Sequence, residues 1–441
     1  MAILGGRFID SGHARGTVSR TAATTGPPSR IAARVTEPAD QERVVRPVCM
    51  LVHAYYEEDP RVRREAESLV ARGRPVDVFA LRRPGDGPDG VIDGVSLHRL
   101  DVQRHQGAGL ATYLREYLAF LIRAGWAATR AHRHRHYAVL QVHSLPDFLI
   151  FAGLWLRLRG VPLVLDLHEA MPEFFRMRFP GSARPGVRRL LLLQERWSIR
   201  LASAVITVND ALAARLVELG VPADKITVLL NSPSLQRFDP AVHPRRAFRA
   251  DGTIRLVYAG ALTPTYELDV AITAVARIRE RRPDLPIVLD LYGRGDSEAV
   301  LRGRVTELGL EDVVAFHGRI PIEDVPGVLA AADIGLAPTR RDPFTDFSLS
   351  TKIFEYGAME KPVVASRLPM VERTFPVGSV GLYQSGDADS MAAAILALVD
   401  DPATRERAGE TTLDRVRDLS WEHEADRLEQ LIERLDPAGL S

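Results

Sequence analysis

A chain of 441 residues exceeds what one hydrophobic core organises, and its 57 Lys+Arg cancel its 57 Asp+Glu. Two domains are therefore expected, and a general affinity for nucleic acid, which needs a basic surplus, is not. The single cysteine, Cys49, excludes a disulfide framework and a Cys/His zinc spacing and lies in an apolar run, 48–52, that reads as a buried strand.

Residues 1–45, rich in Arg, Ala, Thr, Gly and Pro without sustained period, read as a disordered leader. Apolar strands then alternate with helical patterns. A strand at 48–53 precedes Asp59-Pro60, which reads as an N-cap followed by a first-turn proline. Val62, Ala66, Leu69 and Val70 recur on one helical face until Gly73 stops it. Further strands are expected at 76–81, 137–142, 162–167 and 204–208, with helices at 111–131, 147–159 and 187–201. The run AHRHRH, 131–136, gathers too much positive charge to hold a cation and reads as a basic turn.

A Pro- and charge-rich stretch, 238–251, reads as a linker, after which the pattern restarts. Strands are expected at 254–259, 287–292, 313–317, 334–337 and 362–365. Helices are expected at 268–281, 300–308, 324–331, 350–359 and 388–398, with one long helix running to about 435. The alternation implies two successive α/β domains with parallel sheets, 46–240 and 250–415, and a terminal segment 416–441. Ligands of open parallel sheets bind at the carboxyl ends of the strands, so the cleft between the two is the expected site. No apolar run reaches the ~18 residues of a membrane span. The sequence MAILGGRFID lacks a secretory pattern, and the expected location is cytoplasmic.

Five segments carry a resemblance: DPRVRREAESLVARG (59–73), VLDLHEAMPEFF (164–175), NDALAARLVELGVPADKITVLLN (209–231), LYGRGDSEAVLRGRVTELGLEDVVAFHGRI (291–320) and STKIFEYGAMEKPVVAS (350–366). The chain resembles family 4 of the retaining glycosyltransferases, in the branch marked by DPRVRREA, DLHE and STKIFEY. That resemblance implies the GT-B architecture of two Rossmann-like, doubly wound domains facing across a cleft, with the C-terminal helix returning to the N-terminal domain. It implies sugar transfer from a UDP-, GDP- or dTDP-sugar to a sugar or lipid-linked acceptor, in surface polysaccharide or glycolipid assembly, without metal or other cofactor. A nucleotide-sugar epimerase shares this architecture, and a non-catalytic sugar-binding scaffold is the third reading.

The site residues follow from the chemistry. A departing nucleoside diphosphate gains charge, and a helix amino end with a lysine meets it. Ser350 and Thr351 stand where such a helix begins, Lys352 lies in its first turn, and Glu355 shares its face. On spacing alone these are a surface cap and an exposed Lys/Glu pair; the resemblance places Glu355 on the nucleotide ribose. Gly260, Gly293 and Gly295 follow strands and read either as tight turns or as close approaches to the donor. Three segments depart from the family pattern. Phe347 replaces the first of two glutamates, leaving adjacent Asp346 as the donor-sugar candidate. Ala261 and Tyr266-Glu267 stand where Arg and Lys are usual, so Lys352, Arg340 and Arg341 become the candidate cations. Glu360 replaces a helix-ending glycine, from which only a changed turn is expected.

On the acceptor side, Tyr55, Asp59 and Arg61 follow the first strand, with no dinucleotide fingerprint between them. His143 and Asp147 follow another strand, and Asp166, His168 and Glu169 end a third; His143 and His168 are catalytic candidates. Finally, Arg176, Arg178, Arg184, Arg188, Arg189, Arg196 and Arg200 crowd a stretch with Phe174, Phe175, Trp197 and the leucines 190–193. This reads either as a packed helix with a solvated arginine face or as a peripheral contact with the inner membrane face.

Overall fold

The computed structural model describes residues 45–102, 109–169, 171–178 and 185–436; the expected leader lies outside them. The first half holds β1 (Val48–Leu51), α1 (Pro60–Ala71), β2 (Val76–Leu81), β3 (Asp89–Ile92), β4 (Val95–Leu100), α2 (Leu110–Arg135), β5 (Val139–His143), α3 (Leu154–Leu158), β6 (Leu163–Leu167), α4 (Met171–Arg178), α5 (Pro185–Leu201), β7 (Ala204–Thr207), α6 (Asp210–Glu218) and β8 (Ile226–Val228). The second holds β9 (Ile254–Ala259), α7 (Leu268–Arg281), β10 (Ile287–Tyr292), α8 (Glu298–Glu307), β11 (Val314–Gly318), α9 (Val325–Ala331), β12 (Ile334–Ala337), α10 (Thr351–Ala358), β13 (Val363–Ser366), α11 (Pro369–Thr374), β14 (Gly381–Tyr383), α12 (Ala388–Asp400), α13 (Pro402–Asp418) and α14 (Trp421–Leu435).

Eight strands form the first sheet, in the order β3-β4-β2-β1-β5-β6-β7-β8, and six form the second, β11-β10-β9-β12-β13-β14. All neighbours are parallel except β3 and β4. Central strands such as VCML and VDVFAL are buried throughout, as a sheet covered on both faces demands. One face of the first sheet packs Phe120, Ala124 and Ala128 of α2, Leu156 of α3 and Ile199 of α5. The other packs Val62, Ala66 and Leu69 of α1. Between 229 and 253 the chain is irregular, where a linker was expected.

Four expectations are corrected. The hairpin β3–β4 was not foreseen, although Asp93-Gly94, both at positive φ (49° and 79°), is a turn that favours one. AHRHRH is no loop: residues 132–135 form the last turn of α2, where cations face the carbonyl end of the dipole, and His136 caps it at φ 51°. Residues 147–159 split into a 3-10 segment, Asp147–Gly153, and α3. The long final helix breaks at Leu419–Ser420 into α13 and α14. Glu360 accommodates the missing glycine by taking φ 53° itself.

That break lets the chain cross back. α13 stays with the second half, its Thr412 against Gly357 of α10. α14 buries Trp421, Ala425, Leu428, Leu431 and Ile432 in the core of the first half. Leu428 is fully buried there. Leu428→Ala is therefore expected to lower unfolding free energy by ~2–5 kcal/mol, the range for a deleted core leucine, read from the midpoint of chemical denaturation.

Candidate active site

A cleft of about 570 Å³ opens at the carboxyl ends of both sheets. Segments after β1, β6, β7 and β8 supply one wall, through Asp59, Arg61, His168, Glu169, Asn209 and Asn231. Segments after β9 and β12 supply the other, through Tyr266, Thr345, Ser348, Ser350, Thr351 and Lys352. Ser350 precedes α10 without its side chain capping the helix, so the first amides of α10 keep their hydrogens for another acceptor.

Lys352 is only 7% exposed, and no carboxylate of a described residue pairs with it. Its ammonium lies 4.2 Å from the centre of the Tyr266 ring and 5.1 Å from that of Tyr258. The ring faces thus stabilise a positive charge without neutralising it. Gly260 is required beside it: a Cβ there would sit 2.6 Å from Lys352 Cε and 2.9 Å from Nζ. Gly293 and Gly295 do not line the cleft. A Cβ on either would fall 1.8 Å from the Gly260 carbonyl oxygen or 2.3 Å from that of Leu262, so both glycines let the β9 and β10 loops press together beneath the lysine.

The carboxylate of Glu355, one turn beyond Lys352, makes no hydrogen bond among the described residues. Burial pushes its carboxyl up, against the pull of Lys352, Arg64 and Arg237. Arg64 comes from α1, is bonded to Asn231, and stacks over Trp421 at 5.4 Å. Burial, with Arg61 beside it, brings its guanidinium down to about 10. Neither Arg64 nor Arg237 was foreseen, because only the folded chain brings them to Glu355. Arg340 and Arg341 are placed elsewhere. Arg340 bonds Asp269 at 3.2 Å and the Pro264 carbonyl at 3.1 Å, and Arg341 bonds Asp346 at 3.0 Å. None of Arg340, Arg341 and Asp346 lines the cleft. Glu267, at a departure position, is fully buried and braces the loop, accepting from Tyr383 Oη, Ser385 Oγ and the Gly386 amide.

Across the cleft the anchor is Asp166, itself fully buried. It accepts from Arg61 Nε at 3.0 Å and Nη2 at 2.9 Å, and contacts His143 Nδ1 and His168 Nε2, both at 3.1 Å. Against the penalty of burial, Arg61 and then His168 hold its carboxyl well below the usual range. Glu65, bonded by Gln141 at 2.6 Å, completes the bracket around Arg61 and is pushed up by burial and the Asp166 charge. His143, Asp166 and His168 could geometrically share an ion, since their ligand atoms lie within 4.8 Å of one another. Arg61 already occupies both Asp166 oxygens, however, and a guanidinium there repels a second cation.

Of the acceptor-side candidates, Asp59 caps α1 by accepting from the Arg61 and Val62 amides at 3.1 Å, and lines the cleft with Arg61, His168 and Glu169. His143 and Asp166 stand behind them, fully buried. Tyr55 lies outside the lining, under the Arg83 guanidinium; Glu58 lines the cleft instead. Asn209 caps α6 and donates to the Phe347 carbonyl at 2.7 Å, joining the two walls. Two further ties cross between the halves, Arg63–Glu323 at 2.9 Å and Arg319–Glu58 at 2.8 Å.

Two facing parallel-sheet domains with a cationic, helix-ended pocket on one side and a polar wall on the other define a GT-B sugar transferase. Comparison with known proteins agrees. Residues 59–232 match the glycosyl transferase 4-like domain and residues 253–401 match glycosyl transferases group 1. The chain belongs to this glycosyltransferase family. It is 29% identical over 379 residues to a D-inositol 3-phosphate glycosyltransferase of Pseudarthrobacter chlorophenolicus, covering 82% of this chain and 87% of that one. The same-named protein of an Arthrobacter species is 30% identical over 303 residues, 66% of this chain and 68% of that one. In fold it is similar to the sucrose-phosphate synthase of Thermosynechococcus elongatus, with a TM-score of 0.72, 21% identity, and coverage of 89% of this chain and 100% of that one.

Two measurements probe the wall built on Asp166. Asp166→Ala leaves Arg61 buried without its main partner and is expected to cost ~3–5 kcal/mol, as for a broken buried ion pair, in a denaturant titration. Burial raises the Glu169 carboxyl to about 7. A carboxyl raised in the folded state contributes stability that is full below its unfolded pKa, near ~4.3, and is lost as pH rises through about 7. The Tm of Glu169→Gln minus that of wild type should therefore grow between about pH 4.5 and 8 and then level off; a difference constant with pH would contradict this.

Proposed function

We propose that the cleft performs retaining transfer from a nucleoside-diphosphate sugar, with the donor held by α10 and the acceptor presented by the opposite wall. The observation that carries this is Lys352: a buried ammonium without a carboxylate partner, cradled by two tyrosine rings, beside the unfilled amino end of a helix. Such an arrangement is costly for stability and suited to a dianionic group arriving as a ligand. As the sugar–phosphate bond breaks, charge accumulates on the diphosphate, and Lys352 with the amides of Ser350 and Thr351 is aimed to stabilise it. Glu355 accepts from the ribose hydroxyls, its own charge balanced by Arg64, Arg237 and Lys352. The acceptor hydroxyl, from a sugar or lipid-linked sugar, enters past Asp59 and His168. It attacks on the face the diphosphate leaves, and the departing phosphate oxygen takes its proton. His168 is oriented by Asp166, while Glu169 stays protonated below about 7 and donates rather than accepts there.

The donor nucleotide is UDP, GDP or dTDP. Among the described residues no helix is long and apolar enough to cross a membrane; this reading places the work in the cytoplasm, in solution or peripherally at the inner membrane face.

An interaction needed mainly in the transition state appears in kcat more than in donor binding. Lys352→Ala is expected to slow turnover about ten- to a thousandfold, with donor KM changed far less. Lys352→Arg should recover only part, since a planar fork does not replace a compact ammonium. Wild-type turnover should survive EDTA. Normal kcat in a folded Lys352→Ala variant, or loss of activity to EDTA with recovery on adding magnesium, would move the stabilising charge elsewhere.

A further inference from the structure

We infer that the outer surface of α2, α3 and α5 docks on an anionic lipid bilayer. The inference stands on this surface alone and is independent of the transfer chemistry.

α2, the 3-10 segment Asp147–Gly153 with α3, and α5 lie side by side on one face of the first sheet, their inward residues sharing one core. Their outward residues are apolar where solvent would favour polar ones. Ile122 and Trp126 of α2 are each 67% exposed, Trp155 of α3 is 63% exposed, and Trp197 of α5 is 53% exposed. Three of the chain's four tryptophans therefore face outward here, while Trp421 is buried. Between α2 and the 3-10 segment runs a groove of about 550 Å³, lined by Trp126, Phe151 and Trp155 together with Arg130, Arg133 and Arg159. Gly125 makes it: a Cβ there would lie 2.8 Å from the Ala152 carbonyl oxygen, so the two segments touch and leave a furrow.

Charge selects the occupant. Arg130, Arg133, Arg157 and Arg159 are exposed on α2 and at the end of α3, and four more arginines, 188, 189, 196 and 200, are exposed on α5. No carboxylate of a described residue pairs with any of them, although exposed arginines of the second half are commonly paired, as in Arg279–Asp312 and Arg281–Asp389. The acidic residues of the same elements, Glu116, Asp147 and Glu195, are all buried. In a chain of zero formal charge this face is thus purely cationic outside. A second copy of the chain would bring like charge against like. A bilayer rich in anionic headgroups answers both features: tryptophan sits at the interface with its ring in the apolar layer, and arginine stems lie along that layer while the heads reach phosphate. Of the expected stretch, Arg184 and the side chain of Arg178 lie outside the described residues; Phe175 is buried and Phe174 packs on Phe344, so the aromatics of α4 do not join this face, while α2 and α3 add to it.

The full chain is mixed with vesicles of phosphatidylcholine containing phosphatidylglycerol, and with vesicles of phosphatidylcholine alone. Co-sedimentation with the anionic vesicles and a blue shift of tryptophan emission are expected, both weakened at high salt. The joint variant Trp126→Ala, Trp155→Ala, Trp197→Ala should keep the wild-type melting temperature, its sites being exposed. It should lose at least about tenfold in partitioning, on the scale of burying several apolar side chains. Arg130→Glu with Arg133→Glu and Arg196→Glu should remain in the supernatant, whereas Arg279→Glu should sediment as wild type. Equal binding to neutral vesicles, no binding to anionic ones, or a folded tryptophan variant that binds as well as wild type overturns the inference. So does a concentration-dependent dimer in velocity sedimentation that the tryptophan variant abolishes, which would make the occupant a second copy.

Discussion

The arrangement of the first half turns on one buried carboxylate. Asp166 ends a central strand where no water reaches it, and a bare charge there is untenable unless protein groups replace its hydration. Arg61 from the first turn of α1 and imidazoles from the ends of β5 and β6 do so. The helix α1 is thereby held to the ends of the paired strands β5 and β6. The same ion pair sets where Asp59 begins α1 and which edge His168 shows the cleft.

The second half solves the opposite problem. Around Lys352 the protein supplies ring faces and helix amides but no described carboxylate within ion-pair distance, and the missing side chain of Gly260 leaves room for the lysine. One wall therefore has its charges internally satisfied and the other leaves a positive charge open. In the proposed reading this asymmetry marks the donor side of a cleft whose two walls share the same sheet architecture.

The departures from the family pattern become intelligible in the same terms. Tyr266 occupies the region where a basic side chain is usual, and it presents its ring face to the lysine opposite. Glu267 would be an unwelcome charge near a diphosphate, but it is turned away into hydroxyl and amide donors. Asp346 is likewise tied to Arg341 on the rim. Cations from α1 and the segment after β8 gather around Glu355 instead, so part of the electrostatics at this helix is supplied by the first half of the chain.

The sequence by itself determined the α/β alternation, because strands buried on both faces read as unbroken apolar runs, as in 48–51 and 334–337, and because Asp59-Pro60 announces its helix chemically. It also placed Ser350, Thr351, Lys352 and Glu355 at the start of one helix, because they lie within six positions of each other and need only that helix to come together. Weakly patterned pieces escaped it, such as the edge hairpin around Asp93-Gly94 and the break at Ser420, since short strands and helix ends carry few residues of periodic signal. Tertiary structure decided everything that depends on direction and distance across the chain. It put Arg340 and Arg341 into surface pairs, Tyr55 behind the wall, and Arg64 beside Glu355. It also gathered arginines and tryptophans from three separate helices onto one face, because charge sums in sequence are blind to which side of a helix a residue occupies.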